Sequence, residues 1–488
     1  MGLNQSCKTA DVLWPATTFS ESSRASSPAG GFVGASKEPR EAEGQQHVKE
    51  MEKNSNRDLQ GTEALRESAS SGVAHEFAVA LLTGGGDKPY VFGLATELIS
   101  KGAALELIGS DDLDCLEFRG KPRVRFLNLR GDQRPNVGLV RKALRVLTYY
   151  ARLIRYAATA EPRIFHILWN NKFQSFDRTL LMLYYKVLGK RIVLTVHNVN
   201  ASKRDSKDTL FNRFTLRVQY RLADHLFVHT EQMKSELVRE FSVQVARVSV
   251  IPFGINNAVP NTGLTSGEAR QRLGIPDTER TILFFGNIAP YKGLEYLITA
   301  FQHIRTRGGD YRLIIAGWPK NCERYWDTIL DAIREDVQRE RILLRADYIP
   351  DDETEVYFKA ADVLVLPYRY IYQSGVLFLG YSFGLPVLAS DVGPLKDEIV
   401  EGETGFVFRP EDPIDLARAI EMYFASDLYG DLGTRRQHIQ DYAARKHSWD
   451  VVGQVTMEVY ADLLRLHSLG KMADHSSSKV SLDVKDPL

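Results

Sequence analysis

The chain holds 488 residues, 44% hydrophobic and 25% charged, and its 62 Lys and Arg balance 62 Asp and Glu. At roughly 100–200 residues per domain, that length exceeds one ordinary core and fits two Rossmann-sized domains with tails. A net charge of zero removes the electrostatic case for general nucleic-acid binding, which works by displacing counterions from phosphates. Cys7, Cys115 and Cys322 lie too far apart for a disulfide framework or a metal cluster, so a reducing compartment fits. No apolar run approaches the roughly 18–20 residues that cross a bilayer, and the head lacks the charged start and apolar stretch of a secretory signal. A cytosolic protein is expected.

Residues 1–74 are rich in Ser, Gly, Glu and Arg and poor in aromatics, so they cannot bury enough apolar surface to offset their ordering entropy and are predicted disordered. Their start, Met1-Gly2-Leu3-Asn4-Gln5-Ser6 with Cys7 beside it, fits an N-myristoylation pattern, with a chance match as the alternative. Short β-rich runs separated by helical stretches then predict βα units of a parallel sheet over 75–250, with strands at 77–82, 105–108, 124–127, 164–168, 192–196 and 226–228. A turn at Phe253-Gly254 and a polar stretch with Pro260 mark an interdomain linker. A second series over 251–440 places strands at 281–285, 313–316, 342–344, 363–366, 387–389 and 405–408. An amphipathic helix is predicted at 442–466, within a segment 441–469 that packs back on the first domain, followed by a loose tail over 470–488.

The first strand runs into Thr83-Gly84-Gly85-Gly86-Asp87 and then a helix. Glycines admit a phosphate or sugar to the backbone, and a helix start offers unpaired amides. The alternative is a plain tight turn; a dinucleotide fingerprint is disfavoured because Pro89 stands where its third glycine belongs, although Glu106 lies at the ribose-acid spacing. Asp112 and Asp114 resemble a metal-binding pair but read better as helix-capping acids. In the second half, Phe285-Gly286-Asn287-Ile288-Ala289-Pro290-Tyr291-Lys292-Gly293 sets a glycine turn and a lysine between strand and helix. Further on come Pro367-Tyr368-Arg369, Gln373-Ser374-Gly375-Val376, Phe383-Gly384-Leu385-Pro386 and Glu401-Gly402-Glu403-Thr404-Gly405.

That ordered set resembles the donor domain of GT-B glycosyltransferases of family four, the group one transferases, and the resemblance extends through Thr195-Val196-His197-Asn198. It implies an α/β GT-B fold, two Rossmann-like domains facing a cleft, with an N-terminal acceptor domain and a C-terminal nucleotide-sugar domain. The implied activity is retaining transfer of a hexose from a nucleoside diphosphate sugar to a glycan or lipid-linked acceptor. A leaving diphosphate gathers negative charge in the transition state and calls for fixed positive groups; Lys292 and the helix start at Ser374-Gly375 can supply them, so neither a cofactor nor a metal is expected. The resemblance places His197 near the reacting sugar, with a loop histidine bonded to backbone as the alternative, and gives Gly254, Gly286, Asn287, Arg369, Gln373, Val376 and Asp397 to the donor.

Three positions depart from the family pattern. Asn287 stands where members carry an arginine, and Ile371 and Leu379 where they carry two glutamates; Arg369 or Gln373 are expected to compensate. A non-catalytic glycan-binding or scaffolding subunit is therefore the competing reading, and a sugar-nucleotide epimerase a third. The helix at 139–156 carries Arg141, Lys142, Arg145, Arg152 and Arg155 with no acid, which suits an anionic membrane surface or a solvated face equally. The aromatic helix at 180–188 reads as core.

Overall fold

The computed structural model describes residues 78–479, apart from 86–87, 115–117, 119, 122, 134–137, 205–206, 256–258 and 321. The expected disordered head and its lipidation pattern, Cys115, Gly86 and the last nine residues lie outside the described residues. Two parallel sheets organise the rest. The first contains β1 (Ala78–Leu82), β2 (Ala104–Gly109), β3 (Val124–Asn128), β4 (Ile164–Ile167), β5 (Arg191–Thr195), β6 (His225–Val228) and β7 (Val248–Val250), in the order β3-β2-β1-β4-β5-β6-β7. The second contains β8 (Arg280–Phe285), β9 (Tyr311–Ala316), β10 (Ile342–Arg345), β11 (Val363–Leu366), β12 (Val387–Ser390) and β13 (Gly405–Phe408), in the order β10-β9-β8-β11-β12-β13. These strands are continuous apolar runs because both faces of each sheet are covered; β4, β6, β11 and β12 are buried at every position.

Both sheets reverse direction once, between β1 and β4 and between β8 and β11. At such a switch point the loops leaving the carboxyl ends of the two strands diverge and open a crevice, which is where ligands bind in doubly wound folds. The GT-B arrangement read from the sequence is therefore the observed one: two Rossmann-like lobes, each with its own switch point.

The closing segment differs from expectation. One helix was predicted over 442–466; the chain forms two, Leu432–Lys446 and Trp449–Lys479. The break falls at His447-Ser448, where the Ser448 hydroxyl accepts the Asp450 amide at 3.1 Å and restarts the helix. The second helix runs through residue 470 to Lys479, where a loose tail was expected. It returns to the first lobe: Trp449, Val452 and Tyr460 are buried in that lobe's core, and the Tyr460 hydroxyl lies 2.6 Å from His166 Nδ1. Burial of each large side chain contributes about 1.5–3 kcal/mol, so this helix is a structural strap between the lobes. Asp112 sits inside a single 3-10 turn, Asp111–Leu113, whose N-terminal residue is Ser110, and Asp114 follows that turn. Neither acid is the N-terminal cap of that turn, and among the described residues no group of His, Cys, Asp and Glu is clustered to hold a metal ion.

Candidate functional site

The carboxyl ends of the two sheets border a cavity of about 370 Å3, within the size range of small-ligand sites. The second lobe supplies most of its wall: Asn287, Tyr291 and Lys292 from the loop after β8, and Tyr368, Ile371, Gln373, Ser374, Gly375 and Val376 from the loop after β11. The first lobe adds Pro89, Tyr90 and Asn198, the interdomain linker adds Phe253 and Gly254, and the strap helix adds Trp449.

Each predicted donor residue has a local reason for its place. Gly286 holds φ near +97°, a conformation that side chains disfavour, and a β-carbon there would stand 3.2 Å from Lys292 Nζ and from Val376. The glycine thus lets the lysine fold back beneath the turn, where its side chain is buried and its Nζ lies 5.3 Å from the Tyr368 ring centroid. Ser374 caps the helix Gly375–Ser382, its Oγ accepting the Leu377 amide at 3.4 Å and lying 3.3 Å from the Tyr368 hydroxyl. The open first turn of that helix directs the Gly375 and Val376 amides and the positive end of its dipole at the same wall as Lys292. Gly254 meets the Trp449 indole so closely that a β-carbon would fall 2.2 Å from it, so the tryptophan seals the back of the cavity only because residue 254 has no side chain.

Other predicted residues go elsewhere. Arg369 leaves the cavity to pair with Glu295 and, at 3.7 Å, with Glu411, while packing on the Tyr296 ring. It does not replace the missing arginine at Asn287. Gln373 does line the wall, and its Oε1 is buried with no hydrogen-bond partner. Asp397 is exposed and offers only its carbonyl, to Lys446 at 2.9 Å. Its neighbour Glu398 faces inward, 3.0 Å from His447 Nε2 and 2.9 Å from Lys446, in an adjoining and more apolar cavity of about 350 Å3 shared by Phe253, Leu377 and Phe378. Ile371 and Leu379 line the main cavity, which makes it apolar where the family pattern has carboxylates.

On the first lobe, Gly84 and Gly85 both adopt positive φ, and a β-carbon on Gly84 would strike the Trp169 carbonyl and one on Gly85 the Arg130 guanidinium, each at about 2 Å. The turn therefore packs against the loop after β4 and does not itself line the cavity; Gly86 is outside the described residues. His197 is buried one layer behind the wall. Its ring stacks on Trp169 at 4.1 Å, meets the edge of Tyr90 at 4.8 Å, and its Nδ1 lies 3.1 Å from His229 Nε2. Burial, reinforced by His229 and His166, drives its pKa well below the usual histidine value, so it is neutral at physiological pH. Sequence reasoning assigned no site role to Tyr90, Trp169, His229, Phe253, Tyr368, Glu398 and Trp449, since no local motif links side chains from such distant segments.

Comparison with known proteins bears directly on this geometry. The pattern described as Glycosyltransferase Family 4 matches residues 84–259, the first lobe, and the one described as Glycosyl transferases group 1 matches residues 279–426, the second. The chain belongs to the group 1, family 4 glycosyltransferases. D-inositol 3-phosphate glycosyltransferase of Corynebacterium diphtheriae is 29% identical over 280 residues, which is 56% of this chain and 64% of that protein. The enzyme of the same name from Acidothermus cellulolyticus is 28% identical over 50% of this chain and 54% of its own length. The chain thus spans less than two thirds of these relatives. Among solved structures, sucrose-phosphate synthase of Thermosynechococcus elongatus superposes with a TM-score of 0.64 at 19% identity, covering 80% of this chain and all of that one. Anabaena HepE in complex with UDP-glucose gives 0.61 at 16% identity, with 80% and 100% covered. At these identities the structural likeness speaks for the fold.

Proposed function

We propose that this family member transfers a hexose from a nucleoside diphosphate sugar to a glycan or lipid-linked acceptor, with retention of configuration. The observation that carries the reading is the convergence of Lys292 and the first-turn amides at Gly375 and Val376 on one wall of the cavity. A diphosphate leaving group is the chemistry such a wall stabilises: a buried ammonium and oriented amides act on developing negative charge without reorganising. These groups supply the positive charge themselves, so the reaction is proposed to need no metal and no cofactor beyond the sugar nucleotide. That relatives include proteins named as glycosyltransferases and a structure holding UDP-glucose supports the same donor class.

The first lobe carries the acceptor side, and its outer face supports a membrane-bound acceptor. Along the helix Leu139–Thr159, Val140, Leu144, Leu147 and Ile154 form an exposed apolar stripe beside the basic residues. The neighbouring helix exposes Leu183 and Val187, and is tied to the first by the Tyr184 hydroxyl on the Ile154 carbonyl at 3.2 Å. The aromatic segment is thus core on one side, through Tyr185, and exposed on the other. A cytoplasmic protein docked peripherally on an anionic leaflet fits this surface. Among the described residues no helix is long and apolar enough to cross a membrane.

The competing reading, a non-catalytic binding subunit, is favoured by the apolar Ile371 and Leu379 at the cavity wall. Thermal shift with a panel of nucleoside diphosphates and their sugars separates the two, followed by turnover in excess EDTA. The donor reading expects stabilisation by one nucleotide, about 2.7 kcal/mol at 100 times its dissociation constant, abolished in Lys292→Ala, and turnover unaffected by chelation. A flat panel for the wild type would overturn it.

A further inference from the structure

The cavity of about 350 Å3 beside the donor site takes no part in the reading above. Phe253, Gln373 and Ser374 border both cavities and form the partition between them. The second one is mainly apolar, with Val250 from the first lobe, Leu377, Phe378 and Leu395 from the second, and Val451 from the strap. Much of this wall is ring: Phe253 and Phe378 stack at 5.3 Å and 23°, and the His447 ring lies 4.4 Å from Phe378. One polar group interrupts it. His447 lines the cavity and is 2% exposed. Its Nε2 faces the Glu398 carboxylate at 3.0 Å, which Lys446 also meets at 2.9 Å. A carboxylate can only accept, so the proton belongs on Nε2. Nδ1 is buried with no hydrogen-bond partner among the described residues, an unfavourable state for a polar atom in an apolar wall.

We propose that this cavity is a second ligand site, for a small hydroxylated aromatic molecule whose ring lies against Phe253 and Phe378 and whose hydroxyl satisfies His447 Nδ1. The assignment goes beyond the donor reading and stands without it. With Nε2 protonated, Nδ1 accepts in the neutral ring and donates in the charged one; a hydroxyl answers either, because it both donates and accepts. Other classes fit less well. A sugar would set several hydroxyls against apolar walls that cannot bond them, an anion would meet the Glu398 carboxylate, and a plain hydrocarbon would leave Nδ1 bare. A flat ring suits the remaining wall, since aromatic surfaces gain from offset or edge contact beyond the area they bury. The wall is drawn from both lobes and from the two segments that cross between them, so an occupant is held by both lobes at once.

Fluorine NMR of the full-length protein tests this, with para-fluorophenol as the probe and para-fluorotoluene as a match of similar shape without the hydroxyl. The expected result is saturable binding, with the phenol held about tenfold more tightly, the worth of one hydrogen bond. His447→Phe keeps a ring against Phe378 and removes both nitrogens, so it should bring the two probes to equal affinity. Val451 is 44% exposed and lines the cavity; Val451→Trp fills the space and should abolish binding of both probes, while Val451→Ala keeps it. Absence of saturable binding in the wild type, or phenol binding that persists in Val451→Trp, would overturn the site. Equal affinity of the two probes in the wild type would overturn the role of His447 and the class of ligand. If the phenol binds as stated while no sugar nucleotide does, the donor reading fails and this site stands.

Discussion

Lowering the pH from 7 to 5 is expected to remove about 5 kcal/mol of folding stability, and the histidines of the first lobe set that magnitude. Burial drives His229 and His225 down from 6.5 to about 4 and His166 down to about 3, the latter also pushed down by His225. Their folded pKa values are depressed, so below 6.5 the unfolded chain binds the extra protons. The stability they contribute is fully present above 6.5 and is lost as the pH falls toward the folded values. At pH 5 the linkage relation gives a loss of about 2 kcal/mol for each. Asp177 acts in the opposite sense: burial raises its carboxyl from 3.8 to about 6, against hydrogen bonds from Asn171 and Tyr150. The folded state therefore takes up its proton first, returning roughly 1 kcal/mol at pH 5. The net loss is a large fraction of a typical 5–15 kcal/mol. Urea denaturation at pH 7, 6 and 5 measures it, with His166→Gln as the control. That variant gives up the Tyr460 and Thr195 contacts at 2.6 and 2.8 Å and is less stable throughout, but its stability should fall with pH about 1.4 kcal/mol per unit more slowly between pH 6 and 5. An unchanged slope in the variant would refute the assignment of acid sensitivity to buried neutral histidines.

Two further outcomes concern the lobes. Tyr372 belongs to the second lobe yet is buried in the first lobe's core, its hydroxyl 3.0 Å from Glu236 Oε1 and 3.2 Å from the Asn200 amide; Tyr372→Phe should lose a charge-assisted bond of about 1.5–3 kcal/mol and lower kcat/KM at least tenfold in steady-state kinetics, whereas unchanged kinetics would show that the clasp does not shape the adjoining Gln373–Gly375 turn. Cosedimentation with vesicles rich in phosphatidylglycerol should be strong for the wild type and lost in Leu144→Asp with Leu147→Asp; equal binding to neutral vesicles would exclude the basic residues, each worth about 1 kcal/mol near an anionic surface.

Legibility in the sequence followed the range of the interactions. Strands such as Val363–Leu366 are buried on both faces, so apolar runs bounded by turns marked them, and the glycine turn with Lys292 was readable because strand, turn and helix are consecutive. Interactions between distant segments left no such trace. Nothing near Gly254 announces that Trp449 will occupy the space its missing side chain leaves, and nothing near His197 announces His229. Asp397 and Glu398 show the finest limit: one 3-10 turn, Lys396–Glu398, turns one acid to solvent and its neighbour toward His447, and a choice between adjacent acids depends on that turn's phase.

The departures at Asn287, Ile371 and Leu379 acquire a physical meaning once the cavity is seen. Removing a cation and two carboxylates from one wall leaves the local formal charge more positive by one, not more negative, so the wall stays suited to a diphosphate even without the family arginine. What is lost is directional: Leu379 cannot accept hydrogen bonds from hydroxyls. Recognition is thereby left to groups that still can accept, among them the buried Gln373 Oε1, which lines the cavity without a partner. An unsatisfied buried acceptor is costly in the empty protein, and the one on this wall is accounted for if a polyhydroxylated ligand supplies the missing proton.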